Sequence, residues 1–372
     1  MTAQPTDGLL PYNSSPQNEI DLLIQSIKKV LENKPIEASA PCRIDSGGTW
    51  DIRALALPLE KIKPVTVNIT LNLRTHVTLA PFEDGQVKIL SKGFDQVEQY
   101  PFEKLPFNSH FGLFFAAVSH FGFHGLQIQI KSDSPVKSAL GGSSTALIAL
   151  LKALSKAETL LGGKKLSRRA LLHLGFHLEE AVSQGKCGIQ DQAAAAYGGM
   201  NLWTWRYGNG RSPFLRERLL DPEGWRNLSR CLLVAYSGKS HVSLKTNRTW
   251  VNDFLTGKTR SSWIKVNEIV NRTADALKQA DWNEAARFLN AEMAIRREIT
   301  PDALIPLTAK MIDQAESVGC GARFAGAGGG GSVWALGDVE KITELRKIWK
   351  RTLDPVKNGM ILDCAVDPIG VK

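Results

Sequence analysis

Residues 134–154, "SPVKSALGGSSTALIALLKAL", place paired glycines and paired serines directly before a long apolar helical pattern. The preceding segment, residues 126–132 "LQIQIKS", alternates apolar and polar side chains, which is typical of a strand with one buried face. We expect the helix to begin at Ser143 or Ser144, because serine is a favoured N-cap residue. The stretch therefore predicts a strand, a glycine-containing loop and a helix in succession.

The loop at this junction has the properties of an anion site. Gly141 and Gly142 permit positive φ and a close approach of the backbone to a ligand. The unpaired N–H groups and the positive dipole end of the following helix favour a negatively charged group such as phosphate. A serine-capped turn that binds nothing is the alternative.

Two other phosphate-binding patterns fail on this sequence. The Gly-Lys-Thr at residues 257–259 has Asn252 where a Walker A loop requires glycine. The run "GAGGGG" at residues 326–331 satisfies G-x-G-x-x-G, but the strand-like "SVWAL" follows it instead of a helix. The sequence therefore predicts neither a P-loop nor a Rossmann site.

Composition and charge narrow the class of protein. The 372 residues are 43% hydrophobic and 22% charged, which suits a globular chain of roughly two domains. The first 20 residues lack a signal-peptide pattern and no run of about 18 apolar residues occurs, so we expect a cytoplasmic protein without a membrane segment. The five cysteines show no C-x-x-C pair, and we expect them to be reduced.

The chain carries a net charge of +9, which would suit a nucleic acid, an anionic surface or a phosphorylated small molecule. The basic residues are dispersed and no known nucleic-acid-binding module accompanies them. We therefore expect no nucleic acid partner.

The hydrophobic periodicity predicts an α+β fold, because strands and helices each occur in clusters rather than in regular alternation. The segment 65–79 alternates apolar and polar residues and predicts a second strand with one buried face. Predicted helices cover residues 19–32, 143–161, 167–183, two or more segments within 262–297, and 303–318. Two short strands, at residues 330–336 and 360–366, are expected to flank a helix at 339–350.

Three segments in order resemble the motifs of the GHMP kinase superfamily, which includes galactokinase, homoserine kinase, mevalonate kinase and phosphomevalonate kinase. They are "APCRIDSGGTWD" (residues 40–51), "PVKSALGGSSTA" (135–146) and "GARFAGAGGGGSVWAL" (321–336). The resemblance covers residues 38–340. Three residues, Cys42, Lys137 and Ala139, stand where glycine is usual in the superfamily.

The resemblance implies a two-domain fold with the active site between the domains. An N-terminal ribosomal-protein-S5-domain-2-like domain would cover residues 38–205, and a ferredoxin-like α/β domain residues 206–372. Residues 1–37 would form an N-terminal tail and helix.

A fourth segment indicates which branch of the superfamily the sequence resembles most. "HLEEAVSQGKCGIQDQAAAAYGGMNLW", residues 177–203, is similar to a region of sugar kinases, and with the first motif it looks closest to heptose-7-phosphate kinases and fucokinases, then galactokinases. The resemblance implies ATP- and Mg²⁺-dependent phosphorylation of a hydroxyl, the anomeric one expected, on a sugar or sugar phosphate, by a monomer or homodimer. A non-catalytic sensor of sugars or nucleotides and a decarboxylase of the same superfamily are the alternatives.

The resemblance also implies roles for individual residues. Asp191 would be the catalytic base, and Arg43 would stabilise the transferring charge. ATP would contact Pro135, Leu140, Gly141, Gly142, Ser143, Ser144 and Thr145, while Mg²⁺ would be held by Ser143 or Ser144 and Glu179. The sugar would contact Asp51, Gly47, Gly48, Gly328 and Gly329. These residue types suit phosphoryl transfer, because that reaction requires a bound metal, hydrogen-bond donors to the phosphate oxygens and a carboxylate at the attacking hydroxyl.

One residue pattern could indicate a different metal. His173 and His177 are spaced i, i+4 on a predicted helix, as in the zinc motif H-E-x-x-H. Leu174 stands where that motif has its glutamate, so we expect a packed or surface pair rather than a zinc site.

Overall fold

The computed structural model describes residues 24–93, 96–185, 187–208, 212–240 and 243–372, without the side chains of 243–247. The predicted helix at 19–32 lies partly outside this description. Its described part is a two-residue strand, Gln25–Ser26 (β1), followed by a short helix, Lys28–Asn33 (α1). The continuous helix was therefore a wrong prediction, because β1 pairs in parallel with Phe123–His124 (β6).

The remaining strands and helices occur in clusters along the chain, which is typical of an α+β fold. The strands are β2 (Ile36–Ser46), β3 (Val65–Pro81), β4 (Gln86–Lys92), β5 (Val97–Pro101), β7 (Leu126–Ser132), β8 (Met200–Trp205), β9 (Phe214–Arg218), β10 (Leu232–Ser237), β11 (Gly321–Phe324), β12 (Ser332–Leu336) and β13 (Gly359–Leu362). The remaining helices are α2 (Arg53–Ala56), α3 (Gly112–Phe121), α4 (Gly142–Leu160), α5 (Arg168–Val182), α6 (Gln190–Tyr197), α7 (Pro222–Arg230), α8 (Ser243–Leu255), α9 (Arg260–Lys278), α10 (Trp282–Ile299), α11 (Pro306–Ser317) and α12 (Val339–Leu353).

A seven-stranded sheet is built around the long strand β3. The order is β5-β4-β7-β3-β8-β9, and β2 pairs with the other edge of β3. The first part of β3 pairs with β8 and its later part with β7, so one strand positions two successive partners. Strand β2, which carries the first motif, and strand β7, which leads into the glycine-containing loop, therefore pair with opposite edges of β3.

Both faces of the first half of β3 are buried, which corrects the expectation of one buried face. The polar side chains Thr66, Asn68 and Thr70 are fully enclosed and donate hydrogen bonds to backbone carbonyl groups. Buried polar groups are tolerated when they are paired in this way. The period-two pattern identified the strand but could not show that other segments cover its polar face.

The second sheet contains four antiparallel strands in the order β11-β12-β10-β13. In chain order this is a β-α-β-β-α-β arrangement, the topology of ferredoxin-like domains. The α+β prediction is confirmed. No helix among the described residues is long and apolar enough to cross a membrane.

The chain crosses between the two sheets more than once. Strand β9 pairs with β8 in the first sheet, although it follows the predicted domain boundary at residue 205. After β13 the chain returns to the first sheet, where Asp367 forms an ion pair with Arg74 and Lys372 exchanges backbone hydrogen bonds with Ser39. The division at residue 205 stays a prediction.

Candidate active site

The loop between β7 and α4, residues 133–141, is called the phosphate loop below because of its predicted ligand. It ends at Gly141, which is the N-cap of α4 with a φ of 78°. The helix begins at Gly142, and no side chain caps it, so the expectation of a serine cap was wrong. A left-handed N-cap favours glycine, and a Cβ at Gly141 would lie 3.2 Å from the carboxyl carbon of Asp191. Ser143 and Ser144 consequently lie in the first turn of the helix, where their backbone N–H groups have no intrahelical partner.

Two residues of the preceding loop adopt a glycine-like backbone. Lys137 has a φ of 55° and Ala139 a φ of 63°, both in the left-handed region. These are the positions at which the superfamily pattern has glycine. The loop therefore keeps a conformation that glycine favours, with two side chains added to it.

Arg43 connects three of the sequence segments. Its Nε donates to Oδ1 of Asp191 over 2.7 Å, and its Nη2 lies 2.7 Å from the same oxygen. Nη1 donates to the carbonyl of Ala139 over 2.8 Å and lies 3.6 Å from Asp45. Burial lowers the pKa of Arg43, but the carboxylates of Asp191 and Asp45 outweigh it and raise the pKa above its ordinary value.

Glu179 in α5 faces the first turn of α4. Its Oε2 accepts hydrogen bonds from the hydroxyl of Ser144 over 2.8 Å and from the amide of Gln192 over 2.6 Å. Burial, together with the charge of Asp191, raises the pKa of Glu179 to about 7, against the effect of these two donors. A carboxylate whose charge is this unfavourable would be stabilised by a bound cation.

Asp51 lies where the first motif meets α6. Its carboxylate accepts from the backbone N–H groups of Thr49 and Gln190, each over 3.1 Å. Burial raises the pKa of Asp51 to about 7, although the Gln190 hydrogen bond opposes the shift. A Cβ at Gly188 would overlap the Asp51 carboxylate, which explains a glycine at that position.

These groups surround one cavity of about 430 Å³. The predicted residues that line it are Arg43, Asp51, Pro135, Gly141, Gly142, Ser143, Ser144, Glu179 and Asp191. Aromatic and apolar side chains that the sequence reasoning did not identify form another part of its wall: His110, Phe111, Phe114, Ile130 and Val136. These residues belong to separate segments of the chain and form no local sequence motif, so the sequence alone did not indicate that they share a cavity.

Four other residues that were predicted to contact a ligand instead form hydrogen bonds within the protein, next to the cavity. Leu140 is buried and its carbonyl accepts from the N–H of Arg43, while the hydroxyl of Thr145 donates to the carbonyl of Gly141. Gly47 donates its N–H to Glu292, and the carbonyl of Gly48 accepts from Arg296. These four predicted residues, Leu140, Thr145, Gly47 and Gly48, are absent from the described lining of the cavity.

The glycine run also differs from the prediction. Gly328 and Gly329 pack against Ala303, whose carbonyl accepts the N–H of Gly329 over 2.7 Å. Gly326 and Ala327 line the cavity in their place. The structure thus corrects which part of the run faces the cavity, because Gly328 and Gly329 lie against Ala303 in the loop that joins β11 to β12.

Asp45, which the sequence analysis did not single out, is buried behind the cavity and contacts two of its lining residues, Arg43 and Gly326. Its Oδ1 accepts the N–H of Gly326 over 2.8 Å, and Oδ2 lies 3.4 Å from the guanidinium of Arg323. Arg323 also pairs with Glu292 over 3.1 Å. A signal was available, because Asp45 is two residues after Arg43 on a strand and so points to the same face.

Two families match parts of the chain. The family described as "GHMP kinases N terminal domain" matches residues 110–199, and "GHMP kinases C terminal" matches residues 273–354. The first match contains the phosphate loop, Glu179 and Asp191, and the second contains the glycine run.

Curated relatives include two bacterial enzymes. The chain is 25% identical over 358 residues to D-glycero-alpha-D-manno-heptose 7-phosphate kinase of Campylobacter jejuni, covering 91% of this chain and 98% of that protein. It is 23% identical to L-fucokinase/L-fucose-1-P guanylyltransferase of Bacteroides fragilis, covering 92% of this chain but 38% of that longer protein.

Solved structures share the fold. A D-glycero-D-manno-heptose 1-phosphate kinase from Bacteroides thetaiotaomicron has a TM-score of 0.66 at 18% identity, with 90% of this chain and 97% of that chain covered. Galactokinase of Lactococcus lactis, complexed with galactose, has a TM-score of 0.67 at 17% identity, with 92% and 98% covered. At these identities the likeness shows the fold alone.

Proposed function

The chain belongs to the GHMP kinases, and we propose that it transfers the γ-phosphoryl group of ATP to a hydroxyl of a sugar or sugar phosphate, with the anomeric hydroxyl as the expected acceptor. One observation carries the proposal: the Arg43–Asp191 pair and the Ser144–Glu179 pair line the same cavity. Phosphoryl transfer requires this combination of a carboxylate at the nucleophile and charge-neutralising groups at the phosphate.

The acceptor class rests on the relatives. The heptose 7-phosphate kinase aligns with almost its whole length, and the fucokinase with a part of its own. In this chain, Asp51 and Thr49 would offer a carboxyl group and a hydroxyl to the acceptor. A carboxyl group with a pKa of about 7 can either donate to or accept from a sugar hydroxyl near neutral pH.

Asp191 would orient the attacking hydroxyl and accept its proton. Arg43 engages Oδ1, which leaves Oδ2 for the acceptor, and the Asp191 side chain is 24% exposed. Arg43 would then stabilise the negative charge that moves toward the transferring phosphoryl group. The contact with Ala139 fixes Arg43 beside the phosphate loop, so both roles depend on one orientation of its side chain.

The residues present fit a magnesium ion. Ser144 and Glu179 provide a hydroxyl and a carboxylate, hard oxygen ligands of the kind that Mg²⁺ prefers, and the raised pKa of Glu179 indicates a carboxylate that a cation would stabilise. Ser144 is the better candidate of the two serines, because it already contacts Glu179. When bound, Mg²⁺ would neutralise charge on the β- and γ-phosphates.

The nucleotide would lie along the phosphate loop. The N–H groups that open α4 and the side chain of Ser143 line the cavity and would contact phosphate oxygens. The apolar part of the wall, with Phe111, Phe114 and Ile130, would enclose the base. In this arrangement the γ-phosphate would lie between the loop and Asp191.

A direct test is ADP release from ATP and Mg²⁺ across a panel of sugars and sugar phosphates, with a no-acceptor control for each reaction. The proposal expects at least one acceptor to raise ADP formation far above the control, with the product phosphate on the anomeric carbon by ³¹P and ¹³C spectroscopy. Tight binding of a nucleotide and a sugar without any acceptor-dependent ADP would contradict the proposal and favour the sensor.

A further inference from the structure

Lys137 lines the cavity and has an unfavourable backbone conformation. Its φ of 55° is in the left-handed region, where a residue with a Cβ is disfavoured. Its side chain is exposed and lines the cavity beside the phosphate loop. An unfavourable conformation that persists at a ligand cavity points to a function of the side chain.

A second lysine borders the same end of the cavity. Lys92 ends strand β4, is exposed and also lines the cavity. The loop packs against this strand end, since a Cβ at Gly93 would lie 2.9 Å from the side chain of Val136. Lys92 and Lys137 therefore approach the cavity from two neighbouring segments.

Neither cation is neutralised by the surrounding protein. Among the residues that the structure describes, neither lysine forms an ion pair, although three other lysines do. Hydroxyl groups line the cavity near them, from Ser91, Ser132 and Ser138. Two ammonium groups without an ion-pair partner, in a cavity that is also lined by hydroxyl groups, suit an anion with several oxygen atoms.

We propose that Lys137 and Lys92 bind the polyphosphate of the nucleotide, so that the charge of Lys137 contributes what the superfamily's glycine cannot. The inference rests on the proposed nucleotide site. Lysine binds phosphate as a mobile point charge, and its long, flexible side chain can reach a phosphate oxygen at some distance from its own backbone. Nucleotide affinity would consequently depend on ionic strength more steeply than loop amides alone would cause.

The test compares ADP with adenosine by calorimetric titration, in the presence of Mg²⁺, on the full chain. The variants are Lys137→Met, Lys137→Gly, Lys137→Arg and Lys92→Met. Lys131→Met is the matched control, because Lys131 is exposed, lies opposite Lys92 in the sheet register and is outside the described lining. Lys137→Gly removes the charge but also restores a residue that favours the observed φ.

The proposal expects Lys137→Met and Lys137→Gly each to weaken ADP binding about tenfold, with adenosine affinity changed by less than about twofold. Lys92→Met should act in the same direction, Lys137→Arg should restore most of the affinity, and Lys131→Met should have little effect. The salt dependence of ADP binding should become shallower in Lys137→Met.

ADP affinity unchanged in Lys137→Gly would overturn the proposal, because the charge would then be dispensable. Equal losses for adenosine and ADP would also overturn it, since they would indicate a general disturbance of the cavity. Sugar-dependent turnover is not measured here, so a failure of the proposed kinase activity would leave these binding results interpretable on their own.

Discussion

Arg43 contacts Asp191 through a single carboxylate oxygen, with Nε and Nη2 each 2.7 Å from Oδ1. Arg43 belongs to strand β2 and Asp191 to the first turn of helix α6. The third nitrogen of Arg43 holds the carbonyl of Ala139 in the phosphate loop. One buried guanidinium thus fixes the position of the proposed base relative to the proposed phosphate site.

Gly142→Val tests the phosphate site by steric obstruction. A Cβ at Gly142 would meet no protein atom within 4 Å, and its φ is not positive, so the variant should fold normally. The valine side chain would project into the cavity and displace phosphate oxygens from the helix N–H groups. We expect ATP-analogue affinity to fall at least about tenfold by calorimetry, because each lost charge-assisted hydrogen bond is worth about 1.5–3 kcal/mol.

An unchanged thermal transition would serve as the folding control for Gly142→Val. Unchanged nucleotide affinity in the folded variant would remove this loop from the nucleotide site.

Glu179→Gln tests the metal site. We expect it to raise the Mg²⁺ concentration for half-maximal activity, because the amide removes the charge that Mg²⁺ neutralises. Glu180→Gln is the matched control, since Glu180 lies 3.9 Å from Arg53 and is not part of the described cavity lining. Equal effects of the two substitutions would mean that Glu179 is not the metal ligand.

The same site should make Mg²⁺ binding depend on pH. The pKa of Glu179 is about 7, so protons compete with Mg²⁺ below that pH. The Mg²⁺ requirement should rise by up to about tenfold for each pH unit below 7 and level off above it. Glu179→Gln should abolish this dependence.

Asp51 should make the stability of the ligand-free protein fall as the pH rises. Its pKa is raised from 3.8 to about 7 in the folded protein, so between these values the folded state retains a proton that the unfolded state has lost. The free energy of unfolding should decrease across that window by up to about 1.4 kcal/mol per pH unit from this carboxyl group. Denaturant titrations from pH 4 to pH 8 should show a smaller slope for Asp51→Asn than for the wild type, and identical slopes would refute the assignment.

Ala139→Gly should stabilise the protein by about 1 kcal/mol, because Ala139 has a φ of 63° and glycine adopts this conformation without a Cβ clash. Ala280→Gly is a matched control with a φ of 54°, and Ala280 is outside the described cavity lining. Denaturant unfolding should show gains of similar size for both variants. A loss of stability in Ala139→Gly alone would show that the methyl group of Ala139 contributes packing that outweighs the strain.

The sequence predicted the elements more accurately than their ends or surroundings. The helix after the phosphate loop was expected from its apolar run, but its start was misplaced because serine is the commoner N-cap, whereas Gly141 is the cap here. The buried polar face of β3 could not be foreseen, since the segments that cover it, including Gly47, Gln190 and Asp367, are distant in the chain.

The charged residues of the site could be predicted, because they belong to the sequence motifs. Arg43, Glu179 and Asp191 were identified from segments that resemble known motifs, and the structure brings them to one cavity. The glycines were less predictable, because glycine can mark either a ligand contact or a backbone with positive φ, and Gly47 and Gly328 have positive φ and lie against buried neighbours. The contact of Asp45 with Gly326 depends on the docking of two distant segments.

The most direct measurement is acceptor-dependent ADP release by the wild type and by Asp191→Asn, with the best acceptor from the sugar panel and saturating ATP and Mg²⁺. The account predicts sugar-dependent turnover in the wild type. It predicts a loss of at least about 10²-fold in Asp191→Asn, whose nucleotide affinity should stay within about twofold, because the substitution removes a base and keeps the shape. Near-normal turnover in Asp191→Asn, or no sugar-dependent turnover in the wild type, would contradict it.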